Sequence, residues 1–291
     1  MSREGMPGPK LTHKELTDMK HLLALVVILL TYLCPANGQK LKRAMPDNNL
    51  AYPILITVKN GTGSGFFFAT ATHIYLVTAK HVLFEPNTNT LLSTSFELLS
   101  YSGDLSDPTP NLVSIDTTQA GANSVVCHPS HDVAVMKVFS RDVNAGKVFP
   151  LPGVTMKLSK GGIVAVDGQG IKKFDEVLVG NEVILLGYPT SLGLQGMPEI
   201  NPRWPLLRKG IVAGQNRTAR SIILDCPAYF GNSGGPVIEI AGDDLGARHF
   251  QVIGIVSKYV PYADGGKTFV IMANSGYSVV TPIDFVLDLI K

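Results

Sequence analysis

Short apolar runs separated by turn-forming residues dominate the chain after residue 50, and this pattern predicts β-strands. YPILITV, from Tyr52 to Val58, is followed by the glycine-rich KNGTGSG and then by FFFATATHIYLVTAKHV, which ends at Val82. Asn-Gly in such a turn is typical of a hairpin. HDVAVMKVF, from His131 to Phe139, predicts a further strand, and we expect the polar segment at 85–119 to be looser.

The second half repeats this pattern after a polar stretch that is broken by proline and glycine. That stretch, Ser140 to Gly153, is the expected connection between two halves. The strands expected after it are EVILLGYP at 182–189, GIVAGQ at 210–215, SIILDC at 221–226, GPVIEI at 235–240 and QVIGIVSKYV at 251–260. Only TPIDFVLDLIK has a helical pattern, with Thr281 as its N-cap and Pro282 in the first helical position.

The composition favours an all-β globular protein. The 291 residues are 45% hydrophobic and only 16% charged, and 29 glycines and 19 prolines are scattered among runs rich in Val and Ile. The formal net charge is +2 and no long basic run is present, so nothing indicates nucleic-acid binding.

The N-terminal segment has the pattern of a signal peptide. The apolar run LLALVVILLTYL, from Leu22 to Leu33, follows Lys20 and is too short to span a bilayer comfortably. ANG at 36–38 supplies the small-x-small pattern that signal peptidase recognises before Gln39. We expect residues 1–38 to be an N-terminal extension and signal peptide, starting functionally at Met1 or Met19. A retained membrane anchor is the alternative.

Removal of this segment predicts an exported protein, periplasmic or extracellular, whose domain covers residues 39–291. Of the three cysteines, Cys127 and Cys226 belong to that part. An oxidising compartment allows one disulfide between them. Two buried free thiols remain the alternative, because a domain of this size does not need a covalent cross-link.

One serine stands among glycines in CPAYFGNSGGPVIEI, which begins at Cys226. Glycine permits backbone angles closed to other residues and lets another molecule approach the main chain. Gly231, Gly234 and Gly235 therefore favour a tight, accessible turn that displays Ser233. A serine hydroxyl is a poor nucleophile at neutral pH unless a base takes its proton, and that base must itself be oriented by a third group.

A histidine and an acid in the first half meet these needs. His81 stands at the end of the apolar run YLVTAKHVL, where its ring could project into a cleft. Asp132 opens the run HDVAVMKV, where a carboxylate can be buried at a strand start and accept a hydrogen bond. Adjacent strand residues point to opposite faces, which disfavours His131. We expect the remaining histidines of this part to be structural or surface residues: His73, His128, His131 and His249.

TAKHV, DVAVMKV and GNSGGP, in this order, resemble the three signatures of chymotrypsin-like serine peptidases. SGFFF, VGNEVILLGYP and GIVS make the chain similar to the bacterial trypsin-like branch related to HtrA proteases. The resemblance spans roughly Ile54 to Thr281. It implies two packed six-stranded antiparallel β-barrels with a short C-terminal helix, the first at about 45–140 and the second at about 155–285. The active site would lie in the cleft between the barrels.

The resemblance also implies the activity, a serine endopeptidase that cleaves proteins or peptides without a cofactor or metal. Ser233 would attack the scissile carbonyl, and His81 would take and return the proton. Asp132 would hold the imidazole tautomer and stabilise its charged form. The main-chain N–H groups of Gly231 and Ser233 would form the oxyanion hole.

Substrate contacts are implied in the same way. Ser257 matches the residue that bonds the triad acid, and Val256, Ser257 and Lys258 match the edge that pairs with the substrate backbone. The segment Pro227 to Phe230, with Tyr259 and Tyr277, would line the primary pocket. None of these lining residues is charged, so small or medium apolar side chains are the expected preference.

The sequence departs from the family pattern at three points, and each one removes a family feature that we would otherwise expect in this chain. Asn232 replaces the aspartate that pairs with a newly cut N-terminus in digestive trypsins, so activation by that route is not expected. Val82 replaces the cysteine that often follows the catalytic histidine. Only a short segment follows GIVS, which we expect to exclude the peptide-binding PDZ domain of HtrA proteins.

Two other functions fit part of the sequence. GNSGG also satisfies G-x-S-x-G, the nucleophile turn of α/β-hydrolase esterases, but that fold expects a helix after the serine, with the acid and histidine downstream. Here Pro236 and VIEI predict a strand instead. A binding protein on a peptidase fold that has lost turnover is the non-enzyme alternative, and the intact triad residue types disfavour it. Substrate identity and oligomeric state cannot be read from the sequence.

Overall fold

The structure, a computed structural model, describes Lys14 and residues 43–59, 61–121, 124–190, 196–265 and 270–290. The chain divides into two compact units, Met1–Ala44 and Met45–Lys291, and all elements below belong to the second. The expected signal segment, with its cleavage position before Gln39, lies outside the described residues. No helix in the described ranges is long and apolar enough to cross a membrane.

Ten strands form one curled sheet in the first half. The strand order is β6-β7-β3-β2-β1-β4-β5-β9, with β10 added parallel to β2 and β8 added antiparallel to β7. Their bounds are β1 (Ile54–Val58), β2 (Gly61–Ala69), β3 (His73–Thr78), β4 (Ser95–Ser100), β5 (Asn111–Asp116), β6 (Val125–Cys127), β7 (Ala134–Asp142), β8 (Lys147–Pro150), β9 (Val154–Lys157) and β10 (Ala165–Val166).

Six antiparallel strands form a closed barrel in the second half, as expected. Their order around the barrel is β11-β12-β13-β16-β15-β14. The bounds are β11 (Glu182–Gly187), β12 (Leu206–Asn216), β13 (Ser221–Asp225), β14 (Pro236–Gly242), β15 (Arg248–Gly265) and β16 (Val270–Pro282). The all-β, chymotrypsin-like class is therefore confirmed, but the first half is a ten-stranded sheet where a six-stranded barrel was expected.

The helices that the structure describes within residues 45–290 are short. They are α1 (Asp47–Leu50), α2 (Lys80–Leu83), α3 (Thr117–Ala120) and α4 (Asp284–Leu289), with one 3₁₀ turn at Phe174–Glu176. The expected C-terminal helix is present but begins later than predicted. Thr281 and Pro282 remain in β16, paired with Ile255 and Gly254, because the barrel needs these residues to close.

Two predictions about loops were wrong. The polar segment at 85–119 contains β4 and β5, and the side chains of β5 alternate between buried and more exposed positions. Ser140 to Gly153 does not connect the two halves: it contains β8, which folds back on β7 and is capped by a turn at Asp142. The connection instead follows β10, from residue 167 to 181.

Two apolar cores support the two halves. The first contains Phe66, Leu76 and Met136, and the second contains Leu185 and Leu224, all fully or almost fully buried. Helix α4 packs Phe285 and Val286 against the first core although it follows the barrel in sequence. The last helix therefore fastens the second half to the first.

Candidate active site

His81 lies in α2, the single helical turn that follows β3. Val82 and Leu83 are buried beneath this turn, whereas 42% of the His81 side chain is exposed. The sequence suggested that His81 stands at a strand end, but β3 ends at Thr78. The helical turn still exposes the imidazole at the surface, because its apolar residues Val82 and Leu83 face the core.

Asp132 holds His81 through three hydrogen bonds. The ring nitrogen Nδ1 of His81 lies 2.9 Å from Oδ2 and 3.0 Å from Oδ1 of Asp132. The main-chain N–H of His81 donates to Oδ1 at 3.1 Å. A carboxylate on Nδ1 keeps the proton there and leaves Nε2 as the basic nitrogen, which is the tautomer that a general base needs.

Ser257 contacts the other side of the Asp132 carboxylate. Its hydroxyl donates to Oδ2 at 2.6 Å, as the sequence resemblance implied. Ser257 is the extra residue of a β-bulge between Val256 and Lys258, and such bulges re-aim a side chain. Burial of Asp132 alone would raise its pKa, but hydrogen bonds from His81 and Ser257 outweigh burial, so the pKa lies below its ordinary value.

The loop that carries Ser233 depends on glycines at two positions. Gly231 and Gly234 have φ angles of +90° and +82°, which other residues rarely adopt. A side chain at Gly231 would also collide with the carbonyl of Tyr188, and one at Gly234 with the carbonyl of Ser64. The loop is therefore compact because its main chain touches neighbouring main chain.

The two N–H groups of the expected oxyanion hole are aimed by the carbonyls in their own peptide planes. Thr190 N–H donates to Phe230 O at 2.8 Å, and Gly235 N–H donates to Asn232 O at 2.9 Å. In a trans peptide the N–H points opposite to the C=O. The N–H groups of Gly231 and Ser233 must then point the other way, and neither donates a hydrogen bond within the described part of the chain.

Asn232 holds the same loop without a charge. Its side-chain oxygen accepts the N–H of Tyr229 at 2.9 Å, while its own N–H donates to Tyr229 O at 3.0 Å. The side chain is buried. This pair carries no charge, so it requires no ammonium group for compensation.

A cleft of about 560 Å³ brings the candidate nucleophile and base to one surface. Its lining contains His81 and Ser233, together with Val58, Gly61, Thr62, Val82, Leu92, Thr190, Phe230 and Gly231. No hydrogen bond joins His81 to Ser233 among the described residues. Such bonds are often long in ligand-free sites and shorten in the substrate complex.

The expected substrate-binding edge needs one correction. The N–H of Val256 donates to Gly235 O at 3.0 Å, and its carbonyl accepts the N–H of Gly234 at 2.8 Å. Val256 therefore holds the loop that carries Ser233, and its main-chain groups are not free to pair with a substrate backbone. Pairing between β14 and β15 ends at Ile255, so the open edge of β15 begins with Ser257 and includes Lys258.

The wall of the expected primary pocket is tied to β16 by side chains. Ser278 Oγ donates to Cys226 O at 2.8 Å, and Asn274 Nδ2 donates to Ala228 O at 2.5 Å. At the rim, 70% of Phe230 is exposed and its ring meets that of Tyr259 edge to face. Of the residues expected in this pocket, all of which the structure describes, Phe230 alone also lines the 560 Å³ cleft.

The cysteines and the other histidines lie apart from this chemistry. Cys127 and Cys226 are free thiols, and burial raises the pKa of Cys226 to about 11. His131 stacks on Phe285 of α4, with 3.4 Å between ring centroids, and His128 contacts both rings. These ring contacts join α4 to the loop before Asp132.

Comparison with known proteins places this geometry in a family. Residues 63–246, more than half of the chain, match the family described as "Trypsin-like peptidase domain", and no curated protein matches. The solved structure "Crystal structure of Deg5" is 18% identical with a TM-score of 0.48, covering 86% of this chain and 95% of that one. "HtrA-type protease AlgW with tripeptide" is 18% identical with a TM-score of 0.43, covering 83% of this chain and 59% of AlgW. The chain belongs to the trypsin-like peptidase family of serine proteases.

Proposed function

We propose that this protein is an exported serine endopeptidase that cleaves peptide bonds through an acyl-enzyme intermediate formed on Ser233. The observation that supports it most directly is the set of hydrogen bonds from Ser257 through Asp132 to His81. Those bonds leave His81 Nε2 as a base at the cleft that Ser233 also lines. The α/β-hydrolase alternative is inconsistent with the strand β14 that follows the nucleophile.

The reaction proceeds in two halves. His81 Nε2 takes the proton of Ser233 Oγ as that oxygen attacks the substrate carbonyl carbon. The carbonyl oxygen becomes negative between the N–H groups of Gly231 and Ser233, and collapse of this intermediate breaks the C–N bond as His81 gives its proton to the leaving amine. Water, activated by the same imidazole, then releases the acyl group and restores Ser233.

The cleft lining supports uncharged substrate segments next to the cleaved bond. Apart from His81, its lining residues carry no ionisable side chain, and Val58, Val82, Leu92 and Phe230 supply apolar surface. We therefore assign the substrate class as proteins or peptides with small or medium apolar residues around the cleavage position. Peptide-library cleavage by the purified protein tests this preference.

The first prediction is that Ser233→Ala abolishes proteolysis and labelling by a fluorophosphonate probe. The alanine variant lacks the attacking oxygen, so turnover of a casein substrate falls by about 10⁵-fold or more, to background. Ser106→Ala, at an exposed serine outside the cleft, should keep wild-type labelling and turnover.

Circular dichroism and thermal unfolding of both variants should match wild type. Wild-type turnover by folded Ser233→Ala would rule out Ser233 as the nucleophile. If wild-type protein is folded but neither cleaves nor labels, the binding-protein alternative is favoured.

The second prediction is that the exported chain begins at Gln39. The apolar run at 22–33 and the small residues at 36–38 support recognition by signal peptidase. Intact-mass measurement of material recovered outside the cytoplasm checks the start. Substitution of Ala36 by a bulky residue should block cutting, and an uncut wild-type chain in the membrane fraction would instead support the anchor.

A further inference from the structure

Ser64 is a buried serine of β2 that contacts the nucleophile loop from the first half of the protein. Its residue exposure is 0%. The Ser64 hydroxyl donates to Gly231 O at 2.6 Å and accepts the N–H of Tyr188 at 2.9 Å. Its main-chain N–H donates to Ser233 O at 2.8 Å. The remaining polar atom, its carbonyl oxygen, accepts Thr78 Oγ1 at 2.7 Å.

The glycines around Ser233 give Ser64 the space for these bonds. A Cβ atom on Gly234 would collide with the carbonyl of Ser64, and one on Gly187 would lie 2.8 Å from its hydroxyl. A Cβ on Gly235 would be 3.3 Å from the Cβ of Ser64. Three glycines therefore allow two segments of the second half to approach this one side chain.

The bond from Ser64 acts at the most adjustable residue of the loop. Gly231 has φ of +90°, and glycine changes its dihedrals at little cost. Thr190 fixes the peptide plane before Gly231 through Phe230 O, and Ser64 fixes the plane after it through Gly231 O. With both planes held, φ and ψ of Gly231 are fixed, so the plane that carries the Gly231 N–H cannot turn about this glycine without straining the bond from Ser64 to Gly231 O.

We propose that Ser64 is a positioning residue of the active site, whose hydroxyl keeps the Gly231 N–H aimed at the oxyanion of the tetrahedral intermediate. This inference rests on the proposed peptidase function. It assigns to Ser64 an effect on transition-state binding, because the oxyanion exists only there. A serine that only stabilised the fold would affect the binding of the substrate and the binding of the transition state to the same extent.

The test is Ser64→Ala, assayed on the best peptide from library profiling. Removing one oxyanion donor outright typically lowers kcat by about 10²–10³-fold, so losing its alignment should lower kcat by about 10–100-fold. KM should stay within about threefold of wild type. The inhibition constant of a peptide aldehyde of the same sequence, whose adduct carries the oxyanion, should rise by the factor by which kcat/KM falls.

Two further variants keep the test decisive. Ser102→Ala removes a hydroxyl that is equally buried but donates to Asp104 O and not to the loop that carries Ser233, so kcat and aldehyde inhibition should not change. Thr78→Val removes only the bond to the Ser64 carbonyl, and it should lower kcat by about three- to tenfold with KM unchanged. Because the bond to its carbonyl holds the residue that presents the hydroxyl, this variant carries the test if Ser64→Ala does not fold, and a kcat within about twofold of wild type would then overturn the positioning role.

The outcomes separate this inference from the proposed function. If wild type is active and folded Ser64→Ala keeps kcat within about twofold, or loses only KM, the positioning role is wrong while the peptidase function stands. An equal loss in Ser102→Ala would also overturn the role. Failure of folded wild type itself to cleave or label would refute the proposed function.

Discussion

At the scale of single residues, the proposed catalytic roles divide between residues that transfer protons and residues that hold those proton-transferring residues in place. Asp132 is the clearest case of holding, since three bonds fix His81 and a fourth fixes Asp132 itself. Its lowered pKa keeps it ionised wherever the imidazole can act as a base.

We predict that Asp132→Asn lowers kcat by about 10³–10⁴-fold at neutral pH, because an amide no longer enforces the tautomer with a proton on Nδ1. Steady-state kinetics on the profiled peptide measure the loss. Asp244→Asn, at an exposed carboxylate, is the matched control and should behave as wild type. A kcat for Asp132→Asn within about tenfold of wild type would contradict the assigned role.

The same carboxylate makes stability depend on pH. Its pKa is lower in the folded protein than in the unfolded chain, so its contribution is complete above the unfolded value of about 3.9 and disappears as the pH falls through the folded value. The difference in the free energy of unfolding between wild type and the Asp132→Asn variant should therefore shrink in that acid range.

At the scale of elements, the connection at 167–181 is fixed to the barrel by a buried ion pair. Glu239 of β14 has a fully buried side chain, and its Oε1 accepts from Lys172 Nζ at 2.8 Å and from Asn181 Nδ2 at 2.6 Å. Oε2 is buried without a hydrogen-bond partner among the described residues. The carboxylate depends on Lys172 for charge compensation.

We predict that Lys172→Met destabilises the fold by about 3–5 kcal/mol, because it leaves an uncompensated buried charge. Denaturant unfolding in a Ser233→Ala background, which prevents self-cleavage, measures the free energy. Lys209→Met breaks an exposed pair with Glu182 and should cost less than about 1 kcal/mol. Adding Glu239→Gln to Lys172→Met should recover part of the loss, and no difference between the two lysine variants would sink the argument.

Strands and motifs could be predicted from the sequence where they depend on residues that are adjacent in the chain. The barrel strands and the motifs around His81, Asp132 and Ser233 follow from apolar runs and glycines that are adjacent in sequence. The alternating β5 was missed because NLVSID lies among Asp, Pro and Ser residues, which masked its period of two. Ser64 was assigned to a turn because KNGTGSG is rich in glycine, and its contacts were missed because their partners stand 124 and 167 residues away. Pairings that distant leave no local pattern.

At the scale of the whole molecule, the hydrogen bonds that hold the proposed oxyanion hole join residues within the range 190–235, together with Ser64. Asn232 and Tyr229 form two hydrogen bonds with each other. The bonds from Thr190 and Gly235 orient the peptide planes that carry the N–H groups of Gly231 and Ser233. We therefore predict activity as soon as the signal peptide is removed. A chain from Gln39 with a blocking N-terminal extension should match the unextended form in turnover number, measured after active-site titration.

The control is the same extended protein after the extension is trimmed. Loss of activity by orders of magnitude in the extended form, restored on trimming, would mean that a free amino group is needed after all. Equal turnover before and after trimming supports a site that requires no cleavage for its activation.

Under the proposed function, the bond from Ser257 to Asp132 also bears on when activity can arise during synthesis. His81 and Asp132 leave the ribosome or the export channel first, but the serine that completes the carboxylate's hydrogen bonds comes 125 residues after Asp132. The barrel that carries Ser233 closes only when β16, the last strand, pairs with β13 and β15. Under the proposed function, we therefore expect the chain to remain inert until β16 has emerged and paired, so the order of synthesis itself delays proteolysis inside the producing cell.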